Sequence, residues 1–424
     1  MSKGRIFITL CALGAAGGSI YIIPYIKYVF YDQQLNVMGI SNAQSGLLLT
    51  VFAITAIVLF IPGGLMADKF NSKKLIIVSL LGTAILTFIY AFTLSYHLSL
   101  VIWAGLGVTT ATTFWSGFIK TIDFIGEEKD SGKVFGIYYA MNGIFAAIIN
   151  SIALKVSTVA STEKAGFFAA LIVIGASTLI SAVLVVIFLD QSKVQEEIDR
   201  RASNETGVTL NDDSFKLGDI KEVMKMPSVY ALALLDFVAY SLYSSASYFT
   251  PYLTDVIGLT PSESGVYAII RTYLFMLLAP IGGLMCDKIL KKSARWFMIA
   301  WTVVAVLIFG VTKIPGDASA AFASIYTLLP AAFTMAVYGV CFSIIRELHI
   351  PAKVLGTAIG LASIFAWLPD LFMHTMFGVW LDKYGNGGYS RIFIYLIIIA
   401  AVGILVSFLV RRKDAHYSAD QQLS

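Results

Sequence analysis

The sequence has little charge, few histidines and few cysteines for its length. Only 13% of its 424 residues are Asp, Glu, Lys or Arg, whereas soluble globular domains average about 25%. With half the usual charge, the chain cannot cover a water-facing surface of its size, which excludes a large soluble protein. Its three cysteines, Cys11, Cys286 and Cys341, all lie in or beside apolar segments, so no disulfide framework is indicated.

The common chemical motifs are also missing. No glycine-rich loop is followed by Lys-Ser or Lys-Thr, which argues against ATP hydrolysis as the source of energy. No set of cysteines and histidines has the spacing of a metal site. We therefore expect no enzyme, no cofactor, no metal and no nucleic-acid partner.

Apolar residues are abundant instead. They make up 58% of the chain and form runs of about the 20 residues needed to cross a bilayer. The twelve runs cover residues 6–30, 45–67, 75–95, 99–121, 135–156, 166–189, 228–250, 264–285, 297–312, 320–345, 355–381 and 392–410. Their length and lack of strict alternation exclude a β-barrel. Because the first run continues to Phe30, we do not expect a signal peptide cleaved after Ala16.

Basic residues alternate between the connections of these twelve spans. The rich set contains Lys3, Arg5, Lys69, Lys73, Lys74, Lys129, Lys133, Lys288, Lys291, Lys292, Arg295, Arg346, Lys353, Arg411, Arg412 and Lys413. The poor set holds only Lys164, Lys313, Lys383 and Arg391. Because loops rich in Lys and Arg face the cytoplasm, we expect a multi-pass protein of the inner membrane with both termini cytoplasmic.

One polar stretch of mixed charge interrupts the apolar rhythm, at residues 191–226 between spans 6 and 7. It predicts three parts: an N-terminal six-helix bundle at 1–190, a cytoplasmic linker at 191–226 and a C-terminal six-helix bundle at 227–424. The fold class expected is thus an all-α membrane protein of twelve transmembrane helices.

The two halves repeat each other. "GGLMADKF" at 63–70 returns as "GGLMCDKI" at 282–289, "KVFG" at 133–136 returns as "KVLG" at 353–356, and "PY" at 24–25 returns at 251–252. Three phrases in the same order indicate an internal repeat. Since six spans bring the chain back to the cytoplasm, the halves have the same orientation and are expected to be related by a pseudo-two-fold axis along the membrane normal.

The first of these phrases resembles the signature loop of the major facilitator superfamily. Its residues are Gly64, Asp68, Lys69, Lys73 and Lys74, with Asn71 where the family often has glycine; the weaker second copy is Gly283, Asp287, Lys288, Lys291 and Lys292. The strings "YIIPYIKYVFYD", "FWSGFIK", "IPAKVLGTAIG" and "WLPD" are similar to bacterial members near the organophosphate and organic-anion branch. The resemblance implies alternating access to a site near the bilayer midplane, lined by spans 1, 4, 7 and 10.

In this interpretation the doubled phrase is a conformational latch and not a binding site. Small residues let membrane helices approach closely, and an aspartate at a helix end receives a basic partner or faces the positive N-terminus of a neighbouring helix. The latch residues are Gly64, Asp68, Lys69, Gly283, Asp287 and Lys288. They are expected to hold the cytoplasmic side closed while the protein is open outward.

Ionisable residues inside the spans are the main candidates for function, because each costs about 2.5–3.5 kcal/mol to insert. Arg271 in span 8 lies near the midplane and offers a planar fork for carboxylate, sulfonate or phosphate; the alternative is an ion pair with Asp236 or Asp370. Asp236 in span 7 and Asp370 in span 11 are proton-coupling candidates, with a structural ion pair equally open. The sequence "WLPD" predicts a kink at Pro369.

Three further cations are candidate substrate contacts. Lys120 in span 4 and Arg346 in span 10 occupy equivalent cytoplasmic positions, and the resemblance offers Lys120 an alternative role as partner of the signature-loop Asp68. Lys27 follows Pro24 near the external end of span 1, where it either attracts anions or simply reaches the interface. The uncharged candidates are Tyr25, Trp115, Tyr240 and Tyr243, for which plain packing is the alternative. His374 carries no clear signal.

These features predict a monomeric secondary transporter of a small organic anion, working by antiport or by proton-coupled symport. Basic residues outnumber acidic ones among the candidate cavity positions, which favours an anion. A neutral polar solute such as a sugar, polyol or nucleoside is the first alternative, and a membrane sensor that binds solute without moving it is the second. The expected partners are the lipid bilayer, the substrate and a coupling ion or counter-solute.

Overall fold

The computed structural model describes residues 3–123, 125, 131–205, 223–315, 318–350 and 354–423. The chain divides into two compact units, Met1–Asp212 and Asp213–Ser424. Every regular element in the described ranges is a helix. Within these described ranges, eleven helices are long and apolar enough to cross a membrane, and Gly4–Ile20 is a shorter apolar helix. The predicted fold class, an all-helical membrane protein, is confirmed.

In its described residues, the first unit contains five long spans, the shorter apolar helix that corresponds to span 1, and two further helices. The helices are Lys3–Ile20, Tyr31–Met38, Asn42–Lys69, Ser72–Thr93, Tyr96–Gly107 with Ser116–Asp123, Ser131–Val159, Glu163–Phe188 and Gln191–Glu205. The apolar run at 6–30 is therefore not one helix. It ends at Ile20 and resumes only as a 3₁₀ turn at Ile26–Tyr28, because Pro24 lacks an N–H and disfavours helical geometry in the residue before it.

The second unit contains spans 7 to 12, and four of them are interrupted. Its helices are Pro227–Ser245, Phe249–Asp255, Pro261–Thr272, Ala279–Leu284, Ser293–Val311, Ala320–Tyr338, Ile345–Leu348, Leu355–Ala366, Leu368–Tyr384 and Gly387–Leu423. The interruptions in spans 7, 8 and 11 lie just before Pro251, Pro280 and Pro369. Proline removes a helical hydrogen bond and clashes with the carbonyl four residues earlier, which accounts for these positions. The break at Trp367 agrees with the kink expected from "WLPD".

The internal repeat is visible in local geometry. Span 2 begins with a capping box between Ser41 and Gln44, and span 8 begins with one between Thr260 and Glu263. Two residues before each cap, Gly39 and Gly258 have φ of +62° and +82°, which only glycine adopts without strain. The same turn and the same helix start therefore occur at corresponding positions of both units.

Candidate functional site

Arg271 lies where span 8 breaks, in the last turn of the helix Pro261–Thr272. Its side chain is 1% exposed, and Nη2 donates a hydrogen bond to Oγ1 of Thr250 at 2.8 Å. The guanidinium lies over the ring of Phe249 at 5.5 Å. Nε and Nη1 have no hydrogen-bond partner in the described part of the chain. A buried cation with two nitrogens unsatisfied is suited to a bidentate anion.

A cavity of about 10 Å³ lies beside this guanidinium. It is lined by Tyr243, Ala246, Arg271, Thr272, Ala331, Thr334 and Met335, from spans 7, 8 and 10. Ligand pockets for drug-sized molecules are typically 300–1,000 Å³. The cavity is far smaller than these and holds about one water molecule, so an anion reaches Arg271 only when the helices around it move, as alternating access requires.

Aromatic rings extend from this cavity toward span 11. Tyr243 stacks on Tyr338 with ring centroids 4.6 Å apart, and Tyr240 stacks on Trp367 at 5.5 Å. Tyr240 and Tyr243 are also in ring contact at 6.1 Å. The sequence-predicted pair thus shares one face of span 7 and belongs to an aromatic wall formed by Tyr240, Tyr243, Tyr338 and Trp367.

Asp370 is fully buried at the start of the helix Leu368–Tyr384 and is not the partner of Arg271. Its Oδ2 accepts a hydrogen bond from Tyr240 at 2.6 Å, and its Oδ1 accepts one from Ser244 at 3.0 Å. Nε2 of His374 lies 3.3 Å from Oδ1. The ion pair with Arg271 that the sequence left open is therefore absent between these described residues.

His374 is a candidate functional residue that sequence reasoning missed. It is fully buried, its Nε2 lies 2.8 Å from Oγ of Ser244, and its ring stacks on that of Tyr248 at 5.7 Å. Tyr248 donates to the backbone carbonyl of His374 at 2.9 Å. The available signal was spacing, because residues four apart on a helix share a face and His374 follows Asp370 by four.

Asp236 is buried one helical turn before Tyr240. Neither of its carboxylate oxygens accepts a hydrogen bond from the residues that the structure describes, although the Cys341 thiol lies beside it. No ion pair joins it to Arg271. It thus remains an unsatisfied acidic group inside the second unit.

In the first unit the candidates lie in packed surroundings. Lys27 is 2% exposed and its Nζ lies 5.4 Å from the ring centre of Tyr31, so it does not reach water as a basic side chain at a helix end commonly does. Tyr25 packs against Tyr28 and Phe52 at 5.1 and 5.6 Å. Trp115 ends a π-helical stretch, Val108–Trp115, and contacts Phe118 at 5.8 Å. None of these contacts identifies a ligand site.

The latch positions are only partly described. The backbone of Gly64, Asp68 and Lys120 is helical, but their side chains lie outside the described residues. In the second copy, Nη2 of Arg346 lies 3.4 Å from Oδ1 of Asp287, and both side chains are largely exposed. Arg346 therefore lies against the aspartate of the second copy, a contact that corresponds to the one the resemblance offered Lys120 with Asp68. Lys69 and Lys288 are exposed.

Gly283 has open space around it, whereas the preceding Gly282 is in tight contact. A Cβ on Gly282 would lie 1.7 Å from the carbonyl oxygen of Ala336 in span 10, while the nearest atom to a Cβ on Gly283 is 4.0 Å away. The close approach of two helices expected from small residues is present, but it depends on Gly282.

The family model named Major Facilitator Superfamily matches residues 6–369. The chain belongs to the major facilitator superfamily. As a member of this family of transporters, it is 26% identical over 408 residues to the inner membrane protein YqcE of Escherichia coli, covering 95% of this chain and 94% of YqcE. It is 23% identical over 386 residues to SauU of Cupriavidus necator, named a probable sulfoacetate transporter, covering 88% of this chain and 86% of SauU.

Solved structures agree on the fold. A bacterial homologue of the human lysosomal transporter Spinster, solved in an inward-facing and unoccupied conformation, superposes with a TM-score of 0.72 at 15% identity. The match covers 98% of this chain and 99% of that chain. At this identity the likeness shows the superfamily fold alone. The fold likeness does not show the substrate, which depends on this chain's own residues, above all those at the interrupted helices around Arg271 and Asp370.

Proposed function

We propose that this protein is a secondary transporter of a small organic anion, with Arg271 as the anion ligand. The observation that carries the proposal is the buried guanidinium at the edge of a small cavity, with Nε and Nη1 unsatisfied among the described residues. Burying an unpaired charge is costly, so such a residue is expected to be retained for a ligand. The anion supplies the missing acceptors.

The chemistry of the site favours a carboxylate, sulfonate or phosphate. A planar guanidinium binds two oxygens of such a group at once, and the 2.8 Å bond to Thr250 fixes its orientation. The name of SauU, a probable sulfoacetate transporter, supports a sulfonate or carboxylate. We place the protein in the inner membrane with both termini in the cytoplasm, from the basic content of its loops.

Counterflow in proteoliposomes tests this proposal. Vesicles are loaded with sulfoacetate, 2-oxoglutarate, a sugar phosphate or a neutral pentose, and exchange of the labelled solute is measured. Arg271→Gln removes a hydrogen bond to a charged group, worth about 1.5–3 kcal/mol, so the apparent affinity for the anion should fall about 10- to 100-fold. Arg271→Lys keeps the charge but loses the fork, and should give an intermediate loss.

Arg391 provides the matched control, since it is an exposed arginine that lies over the ring of Tyr384 at 3.8 Å. Arg391→Gln should exchange anions as the parent does. Exchange by Arg271→Gln at the parental affinity would contradict the proposal. Anion binding without exchange would instead identify a sensor.

A neutral polar solute is the second candidate, because of the aromatic wall. Tyr243 lines the cavity and stacks on Tyr338, and aromatic faces with polar hydroxyl edges suit a sugar ring. If the parent exchanges the pentose and Arg271→Gln does so equally, this candidate replaces the anion.

A further inference from the structure

Asp370, Ser244 and His374 form a continuous polar chain inside the second unit. Oγ of Ser244 lies 3.0 Å from Oδ1 of Asp370 and 2.8 Å from Nε2 of His374. Asp370 and His374 are both 0% exposed. A buried carboxyl and a buried imidazole joined by one hydroxyl are groups that can exchange a proton over hydrogen-bond distances.

Counting hydrogens shows that this arrangement suits a bound proton. A hydroxyl has only one hydrogen to donate. If Ser244 donates to an ionised Asp370, Nε2 of His374 must donate to Ser244. Tyr248 donates its hydrogen to the backbone carbonyl of His374. Nδ1 of His374 lies 3.4 Å from the phenol oxygen of Tyr248, and it forms a hydrogen bond to that oxygen only when Nδ1 also carries a hydrogen. An ionised carboxyl therefore fits an imidazole that is protonated on both nitrogens.

The alternative distribution holds the same proton elsewhere. If Asp370 is the protonated group, it donates to Ser244, and Ser244 donates to Nε2 of a neutral imidazole. Ser244 thus joins two forms that differ only in which partner carries the proton. When the proton leaves, Nδ1 and the phenol oxygen of Tyr248 face each other with lone pairs.

Span 7 connects this chain of groups to the Arg271 cavity. Tyr240, Ser244 and Tyr248 contact Asp370 or His374, while Tyr243 and Ala246 line the cavity. Span 7 is interrupted by a 3₁₀ segment, Ala246–Tyr248, which contains one residue of each set. Discontinuous helices are where transporters commonly build their sites, and here one discontinuity borders both groups.

The other ionisable groups around the pair are few in the described part. Span 7 presents Tyr240, Tyr243 and Tyr248, with the carboxyl of Asp236 one turn further along. Span 12 presents Tyr395, which contacts Phe377 three residues beyond His374. Asp382 follows on the same helix, and its exposed carboxylate interacts electrostatically with the phenol of Tyr248. Arg271 and Tyr243 both line the cavity.

We propose that Asp370 and His374 together carry the coupling proton, one for each monoanion bound at Arg271. The proton enters from the side to which the site is open, binds to the pair and leaves on the other side. With Asp370 ionised and His374 neutral the pair has one negative charge, which the proton cancels. Loading proton and monoanion together leaves the buried net charge unchanged, whereas loading only one changes it by one unit. Burying an extra charge is unfavourable, so the fully loaded and fully empty forms reorient.

This inference rests on the proposed function, and proteoliposomes separate the two. The probe is labelled methanesulfonate, which is a monoanion at every pH used. Its counterflow needs no net proton movement, whereas its accumulation driven by an alkaline interior does. The parent should accumulate the probe about tenfold per pH unit. Asp370→Asn should abolish accumulation, so that the probe concentration inside only equals that outside, and should keep counterflow within about threefold of the parent. His374→Gln should also lose accumulation.

Two carboxyl controls sharpen the result. Asp382→Asn changes the exposed carboxylate of the same helix and should leave accumulation intact. Asp236→Asn tests the other buried carboxyl, and loss of accumulation in that variant alone would overturn the assignment. Parental counterflow without any response to the pH gradient would also overturn it, and would leave the proposed function standing. Loss of counterflow together with accumulation in Asp370→Asn would make the network a binding or structural element.

Failure of methanesulfonate counterflow in the parent bears on the proposed function alone. The proton site is then tested without substrate, by infrared difference spectra of the lipid-reconstituted protein between about pH 5 and pH 9. A titrating carboxylic C=O band that is missing in Asp370→Asn, or a titrating imidazolium band that is missing in His374→Gln, supports the inference. A parent spectrum with neither band overturns it.

Discussion

Buried polar residues in this protein differ in how completely their side-chain atoms are hydrogen-bonded. The Asp370 carboxylate has donors on both oxygens, whereas Arg271 and Asp236 are left with unsatisfied polar atoms among the described residues. An unsatisfied buried group costs about 1–3 kcal/mol, more when charged. We therefore expect function at buried groups that keep this unfavourable free energy and that a ligand of opposite charge can satisfy.

Glu347 is a residue whose effect is measurable as stability. It is buried, and its carboxylate accepts hydrogen bonds from the backbone N–H groups of Ser293 and Ala294 at the start of span 9. Burial raises the pKa of the Glu347 carboxyl above its ordinary value of 4.5. The folded protein then binds this proton more tightly than the unfolded chain, so the carboxyl's contribution to the free energy of unfolding falls as the pH rises from about 4.5.

Glu347→Gln removes the titration and keeps one acceptor. Melting temperatures in detergent should therefore show the parent losing stability relative to this variant as the pH rises from about 4.5 to 7. A difference between the two melting temperatures that is the same at both pH values would show that Glu347 has no raised pKa in the folded protein.

At the scale of helices, the sequence predicts where spans lie better than where they break. Apolar runs and capping residues such as Thr260 and Glu263 are local signals, and they agree with the observed helix at Pro261–Thr272. The interruption after Arg271 depends on Pro280 together with packing against span 10, which one-dimensional patterns do not contain. The aspartate–histidine pair was likewise hidden, since Asp370 and His374 acquire meaning only through Ser244 and Tyr248 of another span.

The contact between spans 8 and 10 allows a matched test of small residues. Gly282→Ala would place a methyl group 1.7 Å from the Ala336 carbonyl, whereas Gly283→Ala meets nothing nearer than 4.0 Å. The first variant should lose about 1–3 kcal/mol of stability through overpacking, with a lower melting temperature in detergent. The second should stay close to the parent, because Ala is the better helix former. Equal melting temperatures for the two variants would argue against a tight contact at Gly282.

For the whole molecule, transport requires that binding and reorientation be separable. The Arg271 cavity and the Asp370–His374 pair lie within the second unit, as does the contact between Asp287 and Arg346 at the ends of spans 8 and 10. We propose that this last contact acts on the rate of reorientation and not on affinity. Its counterpart in the first unit, involving Asp68, is proposed by analogy with the repeat.

Asp287→Asn separates a latch from a binding site. The two charged groups are 3.4 Å apart and largely exposed, and such pairs contribute about 0–1 kcal/mol, so counterflow should change by no more than about fivefold. The dissociation constant for the transported anion should stay within about twofold. Arg346→Gln should have the same effect, and the double variant should be no worse than either single one, because both changes break one interaction. If Arg346→Gln weakens anion binding while Asp287→Asn does not, Arg346 contacts the substrate, and the latch interpretation of this pair fails.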